Sequence, residues 1–410
     1  MIKRHVLPRV LEALNDTPAV YLQGARQAGK STLAQAIGGG GQAYRYYSLD
    51  SSTVLSAAAG DPEGFVRGLE GPVVIDEVQR VPDLARAIKA SIDAQRRPGR
   101  FLLTGSASVM ALPELADPLA GRVELLTLWP FSQGEILGRR ETFIDRVCAA
   151  RLDTVDAGGP RESDLLRRMV AGGYPEAVLR ERRERRSAWF DSYVTTVLQR
   201  SLRDLANIER LAEIPRILAL LASRVGQLLN YADLGRSLSV PASTLKRYLT
   251  LLEATFLVRL LPAWFSNIGK RLVKSPKVLM VDTGLLCHVL DLDGERLRSD
   301  RTLFGHVLEN FVAMELIKQA SWSTVRARLY HFRTEAGREV DFVLETTAGR
   351  IVGIEVKSGA TAEQKDFDGM RALSQAAGER FVRGIVLHLG DAAVPFGPAL
   401  SALPITTLWS

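Results

Sequence analysis

Short apolar runs alternate with helical patterns in the first third of the chain. A helix is predicted from Ser31 to Ile37, and the glycines at residues 38–41 end it because four glycines cannot sustain a helix. Strands that alternate with helices are typical of βαβ units, which predicts an α/β fold with a parallel sheet. The runs with the length of a strand cover residues 18–23, 44–49, 73–75 and 101–104.

The rest of the chain divides into a helical part and a mixed part. Residues 161–300 are mostly helical in pattern. The last part combines a helix over residues 305–318 with short strands near residues 327–332, 340–345, 351–356 and 384–388. We therefore predict three units, which cover residues 1–155, 156–300 and 301–410.

A glycine-rich loop after the first predicted strand matches the pattern G-x-x-x-x-G-K-[ST] without a mismatch. Its glycines let backbone N–H groups turn toward phosphates, and the positive end of the following helix adds to this attraction. Lys30 is expected to reach the β- and γ-phosphates of ATP, and the Ser31 hydroxyl to bind Mg²⁺. The residues predicted to bind the nucleotide are Gly24, Ala25, Arg26, Gln27, Ala28, Gly29, Lys30, Ser31, Thr32 and Asp76.

Two acidic residues end the third apolar run. Asp76 is expected to hold Mg²⁺ through water, and Glu77 to polarise the water that attacks the γ-phosphate. The fourth run ends at Thr104, and either Thr104 or Ser106 is predicted to orient this water. Arg122 is a candidate γ-phosphate sensor or an arginine finger that acts on a neighbouring subunit. The predicted catalytic residues are thus Lys30, Glu77, Thr104 and Arg122.

These motifs together resemble the prokaryotic AAA-type ATPases of the AAA_14 family, which carry a C-terminal DUF4143 domain. The resemblance extends over nearly the whole chain and implies an AAA+-like parallel-sheet domain, a helical segment with a winged helix, and an α/β nuclease-like domain. Thr104 stands where many AAA+ proteins carry a sensor asparagine. The segments that carry the resemblance are residues 24–33, 47–50, 75–79, 103–106, 172–176, 274–277, 282–285, 305–311 and 339–342.

The middle of the chain contains a helix-turn-helix pattern. Residues 231–238 and 243–253 are predicted helices on either side of a short turn, and residues 256–261 are expected to begin a wing. Because the leucines of the second helix recur at helical spacing and face the core, Lys246 and Arg247 point away from it. Winged helices bind DNA or mediate protein contacts, and both interpretations stay open.

Acidic residues and a lysine in the C-terminal part form a second candidate site. Asp341 and Glu355 lie on two strands of a predicted hairpin, and Lys357 shares a strand face with Glu355. Glu309 on the preceding helix completes a set that resembles the PD-(D/E)xK nuclease site, in which the acids hold a divalent metal. The set is interpreted as an active nuclease site, a nuclease-like fold kept for binding, or unrelated surface charges.

Composition and charge narrow the class of protein. Of 410 residues, 46% are hydrophobic and 24% charged, as in ordinary globular proteins, and no apolar run has the length of a membrane span. With no secretory pattern at the start and only two cysteines, a cytoplasmic location without a membrane partner is expected. The net charge of +7 is concentrated in residues 151–300, which carry +6, and a localised basic excess favours a polyanionic partner.

The sequence therefore predicts an enzyme that hydrolyses ATP with Mg²⁺ and uses it to bind and remodel nucleic acid, with structured or branched DNA favoured. A homo-oligomer is expected, with a hexameric ring as its form, because an arginine finger acts from a neighbouring subunit. Two alternatives stay open. One is a nucleotide-dependent switch that binds a protein partner in a toxin-like or defence role, and the other is an ATPase-coupled metal-dependent nuclease.

Overall fold

The computed structural model describes residues 2–38, 44–149, 152, 158–201, 213–267 and 274–410. Its first part is built on a parallel sheet whose spatial order is β2-β3-β4-β1-β5. The strands are β1 (Ala19–Gln23), β2 (Arg45–Ser48), β3 (Val73–Asp76), β4 (Phe101–Gly105) and β5 (Val123–Thr127). The four predicted strands and the parallel sheet are confirmed, whereas β5 was not predicted.

Helices cover both faces of this sheet. Alternate residues of β1 belong to different hydrophobic clusters: Tyr21 packs with Ile75 on one face, and Val20 packs with Val74 on the other. The helices are α1 (Leu7–Asp16), α2 (Lys30–Gly38), α3 (Ser52–Gly60), α4 (Pro62–Gly68), α5 (Leu84–Ala94) and α6 (Pro113–Leu119). Of the glycines predicted to end α2, residues 39–41 lie outside the described residues.

The middle of the chain is mostly helical, as predicted. Its helices are α7 (Gln133–Leu137), α8 (Phe143–Cys148), α9 (Glu162–Ala171), α10 (Pro175–Val178), α11 (Arg183–Thr196), α12 (Ile214–Ser223), α13 (Tyr231–Leu238), α14 (Ala242–Ala254), α15 (Thr283–Val289) and α16 (Gly294–Ser299). The two helices expected between residues 231 and 253 are present as α13 and α14. They are followed by an antiparallel pair of strands, β6 (Val258–Leu261) and β7 (Lys277–Met280).

The C-terminal part combines a long helix with a mixed sheet of order β12-β13-β11-β10-β9-β8. The predicted hairpin is formed by β9 and β10, which pair antiparallel with Phe342 opposite Ile354. The elements are α17 (Arg301–Ala320), β8 (Ala327–Arg333), β9 (Glu339–Thr346), β10 (Ile351–Val356), α18 (Asp368–Ala377), β11 (Phe381–His388), β12 (Val394–Gly397) and β13 (Leu400–Pro404).

The three parts share buried contacts. One hydrophobic cluster extends from Ala25 and Ala28 in the glycine-rich loop, through the middle helices, to Trp409. The guanidinium of Arg146 on α8 donates a hydrogen bond to the Thr407 carbonyl at 2.7 Å. The division into units at residues 155 and 300 stays a prediction, and residues 153–157 lie outside the described part. In the part of the chain that the structure describes, we find no helix with the length and apolar character needed to cross a membrane.

Candidate active site

The glycine-rich loop, residues 24–31 and from here the phosphate loop, joins the carboxyl end of β1 to the first turn of α2. Gly24 and Gly29 have positive φ angles of 155° and 95°. A Cβ atom on Gly24 would lie 2.2 Å from the Leu128 carbonyl oxygen, so only glycine fits there. The motif glycines therefore serve both the turn and its close approach to the neighbouring backbone.

Lys30 lies buried inside the phosphate loop. Its ammonium donates hydrogen bonds to the carbonyl oxygens of Gly24 at 3.0 Å and Ala25 at 2.9 Å. Burial lowers the pKa of Lys30, and the nearby carboxylates of Glu77 and Asp76 oppose this shift. The ammonium is thus held within the phosphate loop, near the carboxylates of Asp76 and Glu77.

Asp76 is surrounded by hydroxyl groups. Ser31 Oγ lies 3.1 Å from both Asp76 carboxylate oxygens, and the Tyr46 hydroxyl donates to Asp76 Oδ2 at 2.6 Å. Thr104 Oγ1 donates to Asp76 Oδ1. Hydroxyl and carboxylate oxygens are the ligand types that Mg²⁺ prefers, so Ser31 and Asp76 fit the predicted metal role. Tyr46 was not predicted, because no phosphate-loop motif includes it.

Glu77 has a left-handed backbone, with φ of 58° and ψ of 43°. A non-glycine residue in this conformation is strained, and such strain concentrates at functional sites. Its N–H donates to Thr104 Oγ1 at 3.3 Å, and its carboxylate accepts a hydrogen bond from Ser106 Oγ at 3.0 Å. Gln79 Nε2 also donates to Glu77, and contacts Ser106 Oγ at 3.1 Å.

The sequence left open whether Thr104 or Ser106 orients the attacking water. In the structure the two side chains contact different carboxylates, Thr104 that of Asp76 and Ser106 that of Glu77. Gln79 joins the second pair and was not singled out, although it lies two residues after Glu77. The hydroxyls therefore fix the orientation of both acidic side chains, and their effect on water stays a prediction.

Arg122 lies at the opposite end of the sheet. It directly precedes β5, whose first residue pairs with Ala19 at the amino end of β1, whereas the phosphate loop follows Gln23 at the carboxyl end. Its guanidinium binds the Asp93 carboxylate at 2.7 and 2.9 Å. Arg122 as a γ-phosphate sensor within its own chain was wrong, since strand polarity places it away from the nucleotide. A finger toward another subunit stays a prediction.

A buried arginine from the start of the chain supports the phosphate loop from outside. Arg4 donates hydrogen bonds to the carbonyls of Ala28, at 3.1 Å, and Trp129, and it forms an ion pair of 3.2 Å with Glu135. Burial lowers its pKa, while Glu135 raises it. Sequence spacing gave no signal for this residue, because its partners lie 24 to 131 positions away in the chain.

Residues 172–175 of the middle part also cover the phosphate loop. Pro175 Cγ lies 4.0 Å from the Cβ position of Gly29. The Gly173 N–H donates to the Asp282 carboxylate at 2.7 Å, which accepts a second hydrogen bond from the Leu285 N–H at 2.9 Å. Two segments of the family resemblance, 172–176 and 282–285, therefore meet directly beside the nucleotide site.

The predicted nucleic-acid residues lie on an exposed helix face. Leu245 and Leu249 of α14 are buried, whereas Lys246 and Arg247 are exposed. At the other end of this helix, the Ser108 N–H donates to the Ala254 carbonyl at 2.8 Å. The helix thus touches the ATPase-like part at its carboxyl end and presents two exposed cations near its middle.

The structure brings the four C-terminal residues Glu309, Asp341, Glu355 and Lys357 together. Asp341 Oδ2 accepts from the Val356 N–H at 2.9 Å, and Lys357 Nζ donates to Glu355 Oε1 at 3.1 Å. Burial raises the pKa of Glu309 and Glu355 to about 8, and the Asp341 charge adds to both shifts. Glu339 joins these acids, and we refer to Glu309, Glu339, Asp341 and Glu355 as the acidic cluster.

A second metal site in this cluster was one of the interpretations that the sequence left open, and the structure does not support it. The ammonium of Lys277 on β7 lies 2.8 Å from Glu309 Oε1, 2.6 Å from Glu339 Oε1 and 3.6 Å from Asp341 Oδ1. Among the residues that the structure describes, no group of three or more histidine, cysteine or acidic side chains is arranged to hold a metal ion. A lysine already occupies the space between the carboxylates.

The parallel sheet, the phosphate loop and the acidic residues at the end of β3 are the features of the AAA-type P-loop ATPase fold. Family models match three successive segments of the chain. The AAA domain model AAA_14 matches residues 16–137, and two domains of unknown function follow, DUF8612 at residues 162–296 and DUF4143 at residues 304–408.

A relative that matches nearly the whole chain supports the same family membership. The uncharacterized protein Rv2008c of Mycobacterium tuberculosis is 33% identical over 405 residues, which cover 98% of this chain and 83% of the relative. The chain belongs to the AAA_14 family of AAA-type ATPases with a C-terminal DUF4143 domain.

Two solved structures show distant similarity to this chain. The Walker-type ATPase PABY2304 of Pyrococcus abyssi is 14% identical, with a TM-score of 0.43, and the match covers 70% of this chain and 96% of that one. The Holliday junction branch migration motor RuvB of Thermotoga maritima is 20% identical, with a TM-score of 0.29, over 62% of this chain and 88% of that one.

Proposed function

We propose that the protein hydrolyses ATP with Mg²⁺ and that its nucleotide state controls binding to DNA through the exposed face of α14. The observation that carries the hydrolase is the hydrogen-bonded set of Ser31, Asp76 and Thr104 beside the buried amine of Lys30. These are the groups that phosphoryl transfer requires for charge neutralisation and metal placement, all at the carboxyl edge of one parallel sheet.

Each side chain then has a defined task. Lys30 binds the β- and γ-phosphates, and Ser31 with Asp76 holds Mg²⁺, which neutralises charge on the phosphate oxygens. Glu77 polarises the attacking water, and Ser106 with Gln79 keeps its carboxylate in one orientation. Because hydrogen bonds hold the donors and carboxylates in place, little reorganisation is needed during the reaction.

The DNA-binding part of the proposal is supported by charge and by exposure. Lys246 and Arg247 lie exposed on the second helix of a helix pair that a two-stranded hairpin follows. The basic excess of the chain lies in the same part, residues 151–300. Exposed cations on such a helix suit contacts with phosphates and base edges. Structured or branched DNA is the proposed substrate, and its remodelling the proposed use of ATP.

The proposed assembly is a homo-oligomer, with a hexameric ring as its form. Arg122 of one chain does not reach its own phosphate loop, so an arginine from a neighbouring subunit would complete the site. Light scattering with and without ATP tests this assembly. A monomer under both conditions would contradict it.

The central experiment measures ATP hydrolysis alone and with single-stranded, duplex, forked and four-way DNA. We expect DNA to stimulate hydrolysis, and Glu77→Gln to abolish hydrolysis while nucleotide binding persists. If the wild-type protein does not hydrolyse ATP, the hydrolase proposal is wrong. If hydrolysis depends on Glu77 but no DNA stimulates it or shifts in a gel at moderate salt, the DNA proposal is wrong.

The second candidate is a nucleotide-dependent switch that binds a protein partner. It is favoured by the joint between the phosphate loop, residues 172–175 and Asp282, through which the loop contacts the middle helices. Slow hydrolysis that DNA does not change, together with a copurifying protein, would support it. A metal-dependent nuclease is not favoured, because Lys277 binds the carboxylates that a metal would need.

A further inference from the structure

The acidic cluster is held together by a lysine that comes from a different part of the chain. Glu309 lies on α17, Glu339 and Asp341 lie on β9, and Lys277 lies on β7 of the middle hairpin. The side chain of Lys277 is 2% exposed. A buried ammonium needs carboxylate partners, because burial of an unpaired charge costs several kcal/mol.

The geometry around Lys277 is that of a coordinated cation. Its ammonium has three N–H donors and faces three carboxylates, with the two shortest contacts at 2.6 and 2.8 Å. A divalent metal in a nuclease-like site is bound by the same kind of oxygen ligands. Both cations require the carboxylates to converge on one point, and a covalently attached ammonium fills that point at any metal concentration.

The position of Lys277 is fixed by its backbone. It pairs with Leu261 on β6 and forms an isolated bridge with Leu228. Glu309 packs against the same region: its Oε2 lies 3.0 Å from the position that a Cβ atom on Gly226 would occupy, just before Leu228 in the chain. Lys277 is therefore not a surface side chain that can turn its amine into solvent. It is buried, and the strand that carries it is packed between the acidic cluster and the middle helices.

We propose that Lys277 takes the place of a divalent metal ion in the acidic cluster, so that this nuclease-like site is a metal-independent ionic joint between the middle hairpin and the C-terminal domain. Glu309, Glu339 and Asp341 bind the amine rather than a metal. Lys357 binds the remaining acid, Glu355, and also contacts Asp366 at 3.7 Å. Each carboxylate of the cluster thus has an ammonium partner supplied by the chain itself.

The test measures Mn²⁺ binding to the full chain without nucleotide, by electron paramagnetic resonance of the free ion. We expect the wild-type protein to show no Mn²⁺ binding that Asp341→Asn removes. Lys277→Ala exposes the convergent carboxylates and is expected to bind one Mn²⁺ at least about tenfold more tightly than the wild type. The double variant Lys277→Ala/Asp341→Asn should lose this gain, and Lys277→Arg, which keeps a cation in place, should not show it.

Two results would overturn the proposal. One is a single Mn²⁺ bound by the wild-type protein and lost in Asp341→Asn, which would mean that a metal enters despite the lysine. The other is a folded Lys277→Ala variant that gains no Mn²⁺ site. Circular dichroism and ATP binding establish that the variant is folded, and if it is not, the wild-type measurement alone still decides the question.

Discussion

The backbone N–H of Ser108 donates a hydrogen bond of 2.8 Å to the carbonyl oxygen of Ala254. Ser108 follows Ser106 by two residues, and Ser106 holds the carboxylate of Glu77. Ala254 is the last residue of α14, the helix that carries the exposed Lys246. The loop that orients the proposed catalytic acid is therefore hydrogen-bonded directly to the helix proposed to bind DNA.

Removal of the Ser106 hydroxyl should slow hydrolysis without weakening ATP binding. Ser106 contacts Glu77 and Gln79 but lies outside the phosphate loop, so Ser106→Ala removes one of the two side-chain hydrogen bonds that orient the Glu77 carboxylate and leaves only that of Gln79. We expect the turnover number to fall about tenfold, which corresponds to about 1.4 kcal/mol of transition-state stabilisation. Steady-state hydrolysis and nucleotide binding are measured side by side. Ser56→Ala, at an exposed position of α3, is the control and should match the wild type.

The phosphate loop and β3 could be predicted because their signals are local. A motif of eight residues requires its strand and helix immediately on either side, and the structure has both. Strand β5 escaped prediction because Glu124 and Thr127 interrupt its apolar residues: Leu125 is exposed, and Val123, Glu124 and Thr127 are half-buried. Lys277 escaped because its partners lie 32 to 64 residues further along the chain, and no local pattern links a strand lysine to acids at that distance.

The error about Arg122 has a different origin. The sequence shows an arginine, which is the residue type that a phosphate sensor needs. It does not show the direction of the strand that follows, and this direction determines which edge of the sheet Arg122 occupies. Because β5 runs parallel to β1 and starts beside Ala19, Arg122 lies at the amino edge, where Asp93 binds it. Strand order and polarity are long-range properties that a single motif does not contain.

The joint beside the phosphate loop should tolerate no side chain at Gly173. A Cβ atom there would lie 2.2 Å from the Phe131 carbonyl oxygen, and the Gly173 N–H must also reach Asp282. Gly173→Ala is expected to lower the free energy of unfolding by about 2 kcal/mol or more, since backbone would have to shift. Urea unfolding measures the change. The control, Gly305→Ala, has open space around its Cβ within α17 and should stabilise the protein by about 1 kcal/mol.

The acidic cluster should make stability depend on pH. The pKa of Glu309 and of Glu355 is about 8 in the folded protein, raised by burial and by the charge of Asp341, and 4.5 is their ordinary value. The folded chain therefore holds protons between these values that the unfolded chain has lost. This stabilising contribution is complete below pH 4.5 and disappears as the pH rises through 8.

Replacement of one of these acids should flatten the pH dependence. Glu355→Gln removes one proton-binding group, so the free energy of unfolding should fall less between pH 6 and 9, by up to about 1.4 kcal/mol per pH unit in slope. Urea unfolding at a series of pH values checks this. Glu379→Gln, at an exposed position, should keep the wild-type slope. If the Glu355 variant also keeps it, Glu355 does not titrate in this range.

The two cations on α14 should set the affinity for DNA without affecting the nucleotide site. Lys246 and Arg247 lie near the middle of the helix, whereas the Ser108 hydrogen bond is at its carboxyl end. The double variant Lys246→Ala/Arg247→Ala is expected to bind DNA more weakly, with a salt dependence reduced by about one unit of slope for each phosphate that the helix no longer binds. Basal hydrolysis should be unchanged, but DNA should no longer stimulate it.

The matched control removes two other exposed arginines: Arg182, which directly precedes α11, and Arg185, which lies on it. If this control weakens DNA binding and the α14 variant does not, DNA binds the start of α11 rather than the exposed face of α14.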